Sequence, residues 1–363
     1  MALVPDVVPR IVATGATPAI QAGAGRLALF DDAAYDSKGA SVVVGAAELF
    51  GASEVVCKVQ PPNLDEVAAM REGTAVVSFL QPGQNLEVVR ALAARGLTAF
   101  SLDLLPRISR AQSMDALSSQ ALVSGYRGTL LASERLPKFF PLFMTAAGTV
   151  PPAKVLVMGA GVAGLQAIAT ARRLGAVVRA YDVRPAARDE VKSLGAAFVE
   201  LDLETAEGQG GYAAEQSEEF LRRQREQIGK EVAAADVVIT TAAIPGRPAP
   251  VLVTGEMVQM MVRGSVIVDL AAESGGNCEL SEPGEEIDVD GVLVVGVKNL
   301  PSSMPLHASF LYSRNIAEFL ALVVRDGAFA PDFDDEIVSG TCVTHEGAVL
   351  HGPTRELLEG ATP

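Results

Sequence analysis

The first hundred residues alternate amphipathic stretches with short apolar runs. Helical periodicity marks PDVVPRIVATG, NLDEVAAMREG and NLEVVRALAARG, and apolar runs mark SEVVCKVQ, TAVVSFL and LTAFSLDLL. Helices that end in glycine before short apolar strands are typical of βα units and a parallel sheet. The series opens inside or just before a helix, although a repeating unit of this kind should open with a strand.

A second series of the same kind begins at Lys154. Before it, residues 113–136 predict a long helix, and KFFPLFMTAAGTVPPA predicts a loop-rich connection because its prolines interrupt any helix. Six apolar runs then predict strands, the number in a full dinucleotide-binding domain. These runs are KVLVMGAG, AVVRAYD, AAFVELDL, ADVVITTA, SVIVDLA and GVLVVGV.

The tail, from about Pro301, contains the helical stretch SRNIAEFLALVV and is too short to fold alone. We therefore expect an α/β protein with two Rossmann-like domains, parallel sheets and a cofactor cleft between the domains. Residues 1–117 and 300–363 form the first domain, which the C-terminal segment completes, and residues 118–299 form the second.

Composition narrows the classes of function. A length of 363 residues favours two domains, and a net charge of −15 without a Lys/Arg cluster argues against nucleic acids and anionic membranes as partners. Three scattered cysteines suit neither a disulfide framework nor a zinc site, and they suggest a reducing compartment. Structural or surface roles are expected for His307, His345 and His351, and no metal site, signal peptide or membrane span is expected.

The segment GAGVAG fits the pattern GxGxxG between a predicted strand and a predicted helix. Gly159 allows the tight turn, Gly161 lets the backbone approach a pyrophosphate, and Gly164 lets helix and sheet pack closely. Asp182 ends the next strand, where a carboxylate binds the adenosine ribose hydroxyls and repels a 2′-phosphate. The sequence therefore predicts binding of NAD(H) rather than NADP(H). Arg184 is the one feature here that favours NADP(H), because arginine can bind a 2′-phosphate.

The segment PRISRAQSMDALSS joins the two series and carries Arg107, Gln112, Asp115 and Ser118. Polar side chains at a domain junction favour a ligand site. The alternative is a capped helix start, with Ser113 or Asp115 as the cap. Spacing alone leaves the two interpretations equal.

Candidate acids and bases are few. Lys58 and Gln81 each follow a predicted strand, so both are expected at the carboxyl edge of the first sheet. Gln81 cannot exchange a proton near neutral pH, and no histidine is placed to do so. An ordinary dehydrogenase needs such a group, because it deprotonates an alcohol or amine as hydride leaves.

The segment GQGGYAAEQS lengthens one strand-to-helix connection well beyond the usual few residues. Its composition allows a slack linker. Its place after the third strand of a dinucleotide-binding domain favours instead a loop that lies next to the nucleotide and carries one aromatic side chain, Tyr212.

Long stretches of the chain resemble the NAD(H)-binding component of proton-translocating transhydrogenase, from end to end and in order. They include GAGVAGLQAIATARRLGAVVRAYDVRPAARDEVKSLGA, GGYAAEQSEEF, TTAAIPGRPAPVLVT, SVIVDLAAESGGNCELSEPG and SGTCVTHEGAV. The related alanine dehydrogenases have a histidine at the position of Gln81 and an aspartate at that of Glu273, and they share the lysine at Lys58. Loss of that histidine suits hydride transfer directly between two nicotinamides, a step that needs no general base.

The resemblance also implies the site, and it implies that GQGGYAAEQS is a mobile flap with Tyr212 packing on the nucleotide. Nucleotide contacts are expected at Arg107, Gln112, Ser113, Met114, Asp115, Gly159, Gly161, Val162, Ala163, Gly164, Asp182, Val183, Arg184, Gly211, Tyr212, Gln224 and Ala243. The residues expected to serve catalysis, by positioning the nicotinamide, are Arg107, Gln112, Asp115 and Ser118.

The implied protein is an NAD(P) transhydrogenase subunit of the proton-translocating, Re/Si-specific type. It would be a cytoplasmic homodimer, peripheral to the inner membrane through partner subunits that span the membrane and bind NADP(H). Family members usually begin with a further strand ahead of the residues matching ALVPDVV. Either the start codon is assigned late, or the first domain lacks that strand and has a sheet edge that needs covering. An amino-acid dehydrogenase and a non-catalytic NAD-binding protein are the alternatives.

Overall fold

The computed structural model describes residues 1–200, 218–243 and 248–360, and for residues 218–224 it describes only the backbone. The strands are β1 (Ala19–Gln21), β2 (Ser41–Val43), β3 (Val55–Cys57), β4 (Ala75–Ser78), β5 (Thr98–Ser101), β6 (Phe143–Thr145), β7 (Gly148–Val150), β8 (Lys154–Met158), β9 (Val177–Tyr181), β10 (Ala197–Phe198), β11 (Val237–Thr240), β12 (Val266–Asp269), β13 (Glu286–Val289), β14 (Val292–Gly296), β15 (Val324–Arg325), β16 (Ala328–Phe329), β17 (Cys342–His345) and β18 (Ala348–Val349).

The helices are α1 (Val8–Val12), α2 (Asp32–Asp36), α3 (Ala46–Ala52), α4 (Leu64–Ala69), α5 (Leu86–Ala94), α6 (Ala116–Arg135), α7 (Val162–Arg173), α8 (Ala187–Ser193), α9 (Glu218–Ala234), α10 (Gly255–Gln259), α11 (Pro305–Val323), α12 (Glu336–Thr341) and α13 (Gly352–Gly360). The chain divides into two compact units, Met1–Gln120 with Met304–Pro363, and Ala121–Ser303. They are called the first and second units below.

The first unit contains a five-stranded sheet in the order β18-β17-β5-β4-β3. Strands β3, β4 and β5 are parallel, as their apolar runs predict, and β4 and β5 are buried along their whole length. Strand β17 pairs antiparallel with β5, so the C-terminal segment completes this sheet as expected. Strand β3 forms one edge of the sheet, with only its middle residue buried.

Helix α11 ties the first unit together. Its Phe319 packs edge-on against Phe100 of β5, with ring centroids 5.3 Å apart. The Tyr312 hydroxyl donates a hydrogen bond to the carbonyl of Lys58 (2.8 Å), and the Ser313 hydroxyl accepts one from the backbone N–H of Val4 (3.0 Å). The tail therefore packs on the first unit through its core and through buried hydrogen bonds.

The second unit contains a seven-stranded sheet in the order β10-β9-β8-β11-β12-β14-β13. All neighbouring pairs are parallel except β13 with β14. Leaving out β13, the strands follow the order 3-2-1-4-5-6 of a doubly wound dinucleotide-binding domain. Apolar clusters cover both faces: Ile168 of α7 packs on one, and Ile228 of α9 on the other.

Several short elements differ from the sequence predictions. Strand β13 adds an antiparallel edge to the six predicted strands, and strands β6 and β7 form a hairpin in the segment expected to be loop-rich. The pair β1 and β2 forms a separate two-stranded parallel sheet. The long helix begins at Ala116 rather than residue 113, because Ser109–Met114 form a 3-10 helix. Among the described residues, none of the helices combines the length and apolarity that a bilayer span requires.

Asp335 provides a test of how the C-terminal segment is held. Its carboxylate accepts a hydrogen bond from the Ile337 N–H (2.8 Å), which caps α12, and two from the Arg110 guanidinium (2.6 and 2.9 Å). The guanidinium lowers the pKa of Asp335 to about 2. Because this value lies below that of the unfolded chain, the contribution to stability is complete above about pH 4 and is lost as pH falls towards 2.

We predict that Asp335→Ala lowers the free energy of unfolding by about 1 kcal/mol at pH 7 through the lost cap. Urea denaturation of both proteins between pH 7 and pH 3 checks this, and the difference should narrow at the acid end. Asp334→Ala, at the exposed neighbouring carboxylate, is the control. Equal stability of the two variants at pH 7 would contradict the assignment.

Candidate functional site

The glycine-rich turn lies between β8 and α7 in the second unit. Gly159 has a φ of +98°, and a Cβ there would lie 2.6 Å from the Thr241 hydroxyl oxygen, so the turn requires glycine. A Cβ on Gly164 would lie 1.9 Å from the carbonyl oxygen of Gly159, because helix and strand pack backbone to backbone. A Cβ on Gly161 would meet nothing within 4 Å, which leaves open space over that backbone. The tight turn at Gly159 and the close packing at Gly164 agree with the pattern, and the approach of a pyrophosphate to Gly161 stays a prediction.

The first turn of α7 lies beside this space. Gly161 occupies the N-cap position with extended backbone, and no side chain in the described part of the chain caps the helix. Val162 is exposed and Ala163 is half-buried. Backbone N–H groups and the positive pole of a helix form a binding site for a phosphate group. The turn therefore presents the kind of groups that bind a pyrophosphate.

Asp182 follows β9 and joins that strand end to the glycine-rich turn. Its side chain is only 7% exposed and accepts hydrogen bonds from the backbone N–H groups of Ala160 (2.7 Å) and Arg184 (2.8 Å). The Arg184 guanidinium donates two more, each at 3.0 Å. Burial opposes ionisation, but the bonds from Arg184 and Ala160 outweigh it and lower the pKa of Asp182. A carboxylate therefore lies next to the glycine-rich turn, and its role as an acceptor for ribose hydroxyls stays a prediction.

A buried network at the ends of β11 and β12 is a feature that sequence reasoning missed. Asp269 accepts hydrogen bonds from the Thr240 hydroxyl (2.9 Å) and from the backbone N–H of Asn277 (2.8 Å). The Asn277 amide in turn pairs with both backbone groups of Ala242, at 2.9 and 2.8 Å. This network fixes the strand end that leads to the exposed Ala243. The sequence signal that could have revealed this network is Asp269, an aspartate at the end of the apolar run SVIVDLA.

The segment around residues 107–118 lies in the first unit. Arg107, Gln112 and Ser113 are exposed, whereas Met114 is buried. The Asp115 carboxylate accepts hydrogen bonds from the backbone N–H of Ser118 (2.9 Å) and from its hydroxyl (2.5 Å). Asp115 thus caps α6, as one of the two interpretations predicts. The ligand-site interpretation stays a prediction.

Polar groups also meet at the carboxyl edge of the first sheet. Lys58 follows β3 and forms an ion pair with Glu66 at the start of α4. Gln81 follows β4 with a φ of +45°, and its backbone N–H donates to the Asp103 carboxylate (2.7 Å). Burial raises the pKa of Asp103, although hydrogen bonds from Ser101 and Gln81 oppose the shift. Sequence reasoning placed Lys58 and Gln81 at this edge but did not find Asp103.

The histidines with resolved contacts pack within the first unit. The His345 ring lies 4.4 Å from that of Phe333, and its Nδ1 is 2.9 Å from the Thr98 hydroxyl. His351 Nδ1 is 2.7 Å from the Thr354 hydroxyl. Across the described ranges, no group of histidine, cysteine and carboxylate side chains is arranged to hold a metal ion.

Three predicted contacts concern the long connection after β10. Gly211 and Tyr212 lie outside the described residues, as does the end of the predicted strand beyond residue 200. Gln224 lies within α9. The role of Tyr212 stays a prediction. Of the other predicted contacts, Val183 is exposed beside Asp182 and Arg184.

Substitutions at two glycines of the turn should distinguish an effect on folding from an effect on ligand binding. Gly164→Ala should lower the free energy of unfolding by about 3 kcal/mol, because its Cβ collides with backbone that cannot move aside. Gly161→Ala should lower it by less than about 1 kcal/mol, because the added methyl group meets open space.

That methyl group would stand where a pyrophosphate approaches, so Gly161→Ala should weaken NADH binding roughly 10-fold. Thermal denaturation and NADH titration of both variants measure the two effects. Unchanged NADH affinity in a well-folded Gly161→Ala protein would exclude a nucleotide at this turn.

Comparison with known proteins assigns both units. Residues 1–124 match the domain family described as "Alanine dehydrogenase/PNT, N-terminal domain", and residues 128–352 match "Alanine dehydrogenase/PNT, C-terminal domain". The chain is 48% identical over 361 residues to an NAD(P) transhydrogenase alpha subunit polypeptide of Rhodospirillum rubrum, a match that covers 97% of this chain and 94% of that protein.

A solved structure and a more distant relative agree. The crystal structure of transhydrogenase from Sinorhizobium meliloti matches with a TM-score of 0.87 and 45% identity, over 96% of this chain and 95% of that one. Alanine dehydrogenase of Bacillus subtilis is 27% identical over 361 residues, covering 97% of this chain and 89% of that enzyme. The chain therefore belongs to the alanine dehydrogenase/PNT family, among the NAD(P) transhydrogenase alpha subunits.

Proposed function

We propose that this chain is the NAD(H)-binding subunit of a proton-translocating transhydrogenase of the Re/Si-specific type. Hydride passes directly between NAD(H) held by this chain and NADP(H) held by a partner chain. The observation that carries the NAD(H) half is the ionised Asp182 carboxylate beside a glycine-rich turn with open space over Gly161. The transhydrogenase half is supported by relatives of 40–48% identity that carry that name.

The charge of Asp182 favours NAD(H) over NADP(H). A carboxylate accepts hydrogen bonds from both adenosine ribose hydroxyls, whereas it repels a 2′-phosphate. Each carboxylate oxygen already accepts one backbone N–H and one guanidinium N–H. A carboxylate offers about four acceptor positions, so ribose binding displaces the Arg184 side chain from at least one of them. Arg184 is itself proposed as a nucleotide contact.

The remaining residues of the site position the substrate rather than make bonds. The N–H groups at Val162, Ala163 and Gly164 hold the pyrophosphate, and Ala243 lines the site. Arg107, Gln112, Asp115 and Ser118 orient the nicotinamide, and Ser113 and Met114 also contact the nucleotide. The rate then comes from holding two nicotinamide rings at hydride distance. A glutamine at position 81 is compatible with this mechanism, because direct hydride transfer needs no proton-exchanging side chain at that position.

An exposed apolar hairpin supports the proposal that the subunit is a homodimer. Leu142, Phe143 and Met144 are 53%, 42% and 76% exposed at β6. The Phe143 ring lies 4.6 Å from that of the exposed Phe139. A two-stranded hairpin is marginally stable by itself, and contiguous apolar patches mark interaction surfaces. Membrane-spanning and NADP(H)-binding subunits complete the proposed complex, and they hold this chain at the cytoplasmic side of the inner membrane.

Asp182→Asn tests the nucleotide preference. Loss of a charged acceptor for two hydroxyls should weaken NADH binding roughly 10-fold to 100-fold and should narrow the difference between NADH and NADPH. Fluorescence titration with both nucleotides measures this. Asp189→Asn, at an exposed carboxylate of α8, is the control and should change neither affinity. An Asp182→Asn protein with wild-type affinity for NADH would refute the assignment.

Leu142→Lys combined with Met144→Lys tests the dimer. Two charges on the exposed hairpin should shift the protein to monomers in sedimentation analysis, because an apolar interface excludes unpaired charges. Leu27→Lys, at an exposed leucine of the first unit, should leave the dimer intact. A wild-type monomer, or a doubly substituted protein that stays dimeric, would contradict the proposal.

A second function is favoured by Lys58, which matches the substrate lysine of alanine dehydrogenases, and by the 27% identity to one of them. Reduction of NAD by alanine with this chain alone would support that alternative. The proposed function predicts no such reaction at high alanine concentration. It predicts instead that an acetylpyridine analogue of NAD is reduced by NADPH only after an NADP(H)-binding partner domain is added. The same result excludes a non-catalytic NAD-binding protein.

A further inference from the structure

Helix α11 contains Asn315, whose side-chain amide is buried. Both the nitrogen and the oxygen of this amide form hydrogen bonds with the part of the chain that is proposed to orient the nicotinamide. Asn315 is 7% exposed. Its Nδ2 donates to the carbonyl of Ser113 (2.8 Å), and its Oδ1 accepts from the Ser119 hydroxyl (2.7 Å). Ser113 lies in the 3-10 helix, whereas Ser119 lies in the first turn of α6. One side chain therefore joins the elements on either side of the cap residue Asp115.

The same segment is tied to the C-terminal residues at two further places. The Gln120 amide donates to the carbonyl of Ala308 on α11 (3.2 Å), and the Arg110 guanidinium binds Asp335. Gln112, between the attachments at Arg110 and Ser113, is exposed. The segment is thus held on both sides of Gln112 by residues of the C-terminal segment that lie 188 to 225 positions further along the chain.

A 3-10 helix of six residues needs such support, because its hydrogen-bond geometry is poor and longer runs are uncommon. The buried amide also gains most when both ends are satisfied, since an unpaired buried polar group costs free energy. Loss of either bond would free the carbonyl of Ser113 or the start of α6 to move. A displacement of the reacting groups by about 1 Å can lower a rate roughly 100-fold.

We propose that Asn315 is a positioning residue for hydride transfer. It holds residues 109–118 in the arrangement that presents Gln112 and Asp115 to the nicotinamide. This inference rests on the proposed function. It adds a residue from the C-terminal segment that touches neither nucleotide, and it assigns that residue an effect on rate rather than on affinity.

The test compares three variants of the full chain. Asn315→Leu removes both bonds and keeps the site filled, Ser119→Ala removes one, and Ser313→Ala is the control. Ser313 lies on the same helix, is fully buried and accepts a bond from Val4, so its loss affects stability without touching the segment. Each protein is assayed for thermal stability, NADH affinity and reduction of the acetylpyridine analogue with a partner domain and saturating nucleotides.

Asn315→Leu should lower the saturating rate about 10-fold to 100-fold with NADH affinity changed less than about 3-fold. The saturating rate of Ser119→Ala should lie between the rates of Asn315→Leu and the wild type. Ser313→Ala should keep the wild-type rate. A folded Asn315→Leu protein with the rate of Ser313→Ala overturns the inference. If Asn315→Leu does not fold, Ser119→Ala with the control rate overturns it. A wild-type chain without transfer refutes the proposed function itself.

Discussion

Carboxylates that follow strand ends hold the loops at the carboxyl edges of both sheets. Asp182 binds the backbone N–H of Ala160 on the neighbouring strand end, and Asp103 binds that of Gln81 in the same way. Asp269, at the end of β12, accepts a hydrogen bond from the loop that follows β12 and another from the Thr240 hydroxyl at the end of the neighbouring strand β11. Loops at this edge carry ligand sites in open α/β sheets. In each unit, fixed carboxylates therefore hold the loops at the carboxyl edge of the sheet in a defined arrangement.

Much of the architecture could be predicted because its strands are buried on both faces and are continuous in apolar residues. The glycine pattern was equally informative, since two of its positions exclude any side chain. Strand β13 and the hairpin of β6 and β7 were missed because they lie at an edge or on the surface, where apolar periodicity is weak. The start of α6 was misplaced because a helical pattern does not distinguish a 3-10 helix from an α-helix.

The site was less predictable than the fold, because its support consists of bonds between distant residues. Asn315 and Ser113 are separated by 202 residues, and Asn277 and Ala242 by 35. In the sequence, neither asparagine can be told apart from an asparagine at the surface, because no local pattern marks either of them as buried. At Asp115 the spacing allowed a cap or a ligand, and the observed cap is compatible with both. A side chain that shapes a helix start also fixes where its exposed neighbours lie.

The proposed function depends on direct transfer of hydride between nucleotides, without a proton-exchanging group on this chain. The most direct measurement uses NADH deuterated at the transferred position of the nicotinamide, mixed with this chain, an NADP(H)-binding partner domain and NADP in ordinary water. Direct transfer predicts that the NADPH formed carries the deuterium in full. Loss of the label to solvent, or formation of NADPH without the partner domain, would contradict it.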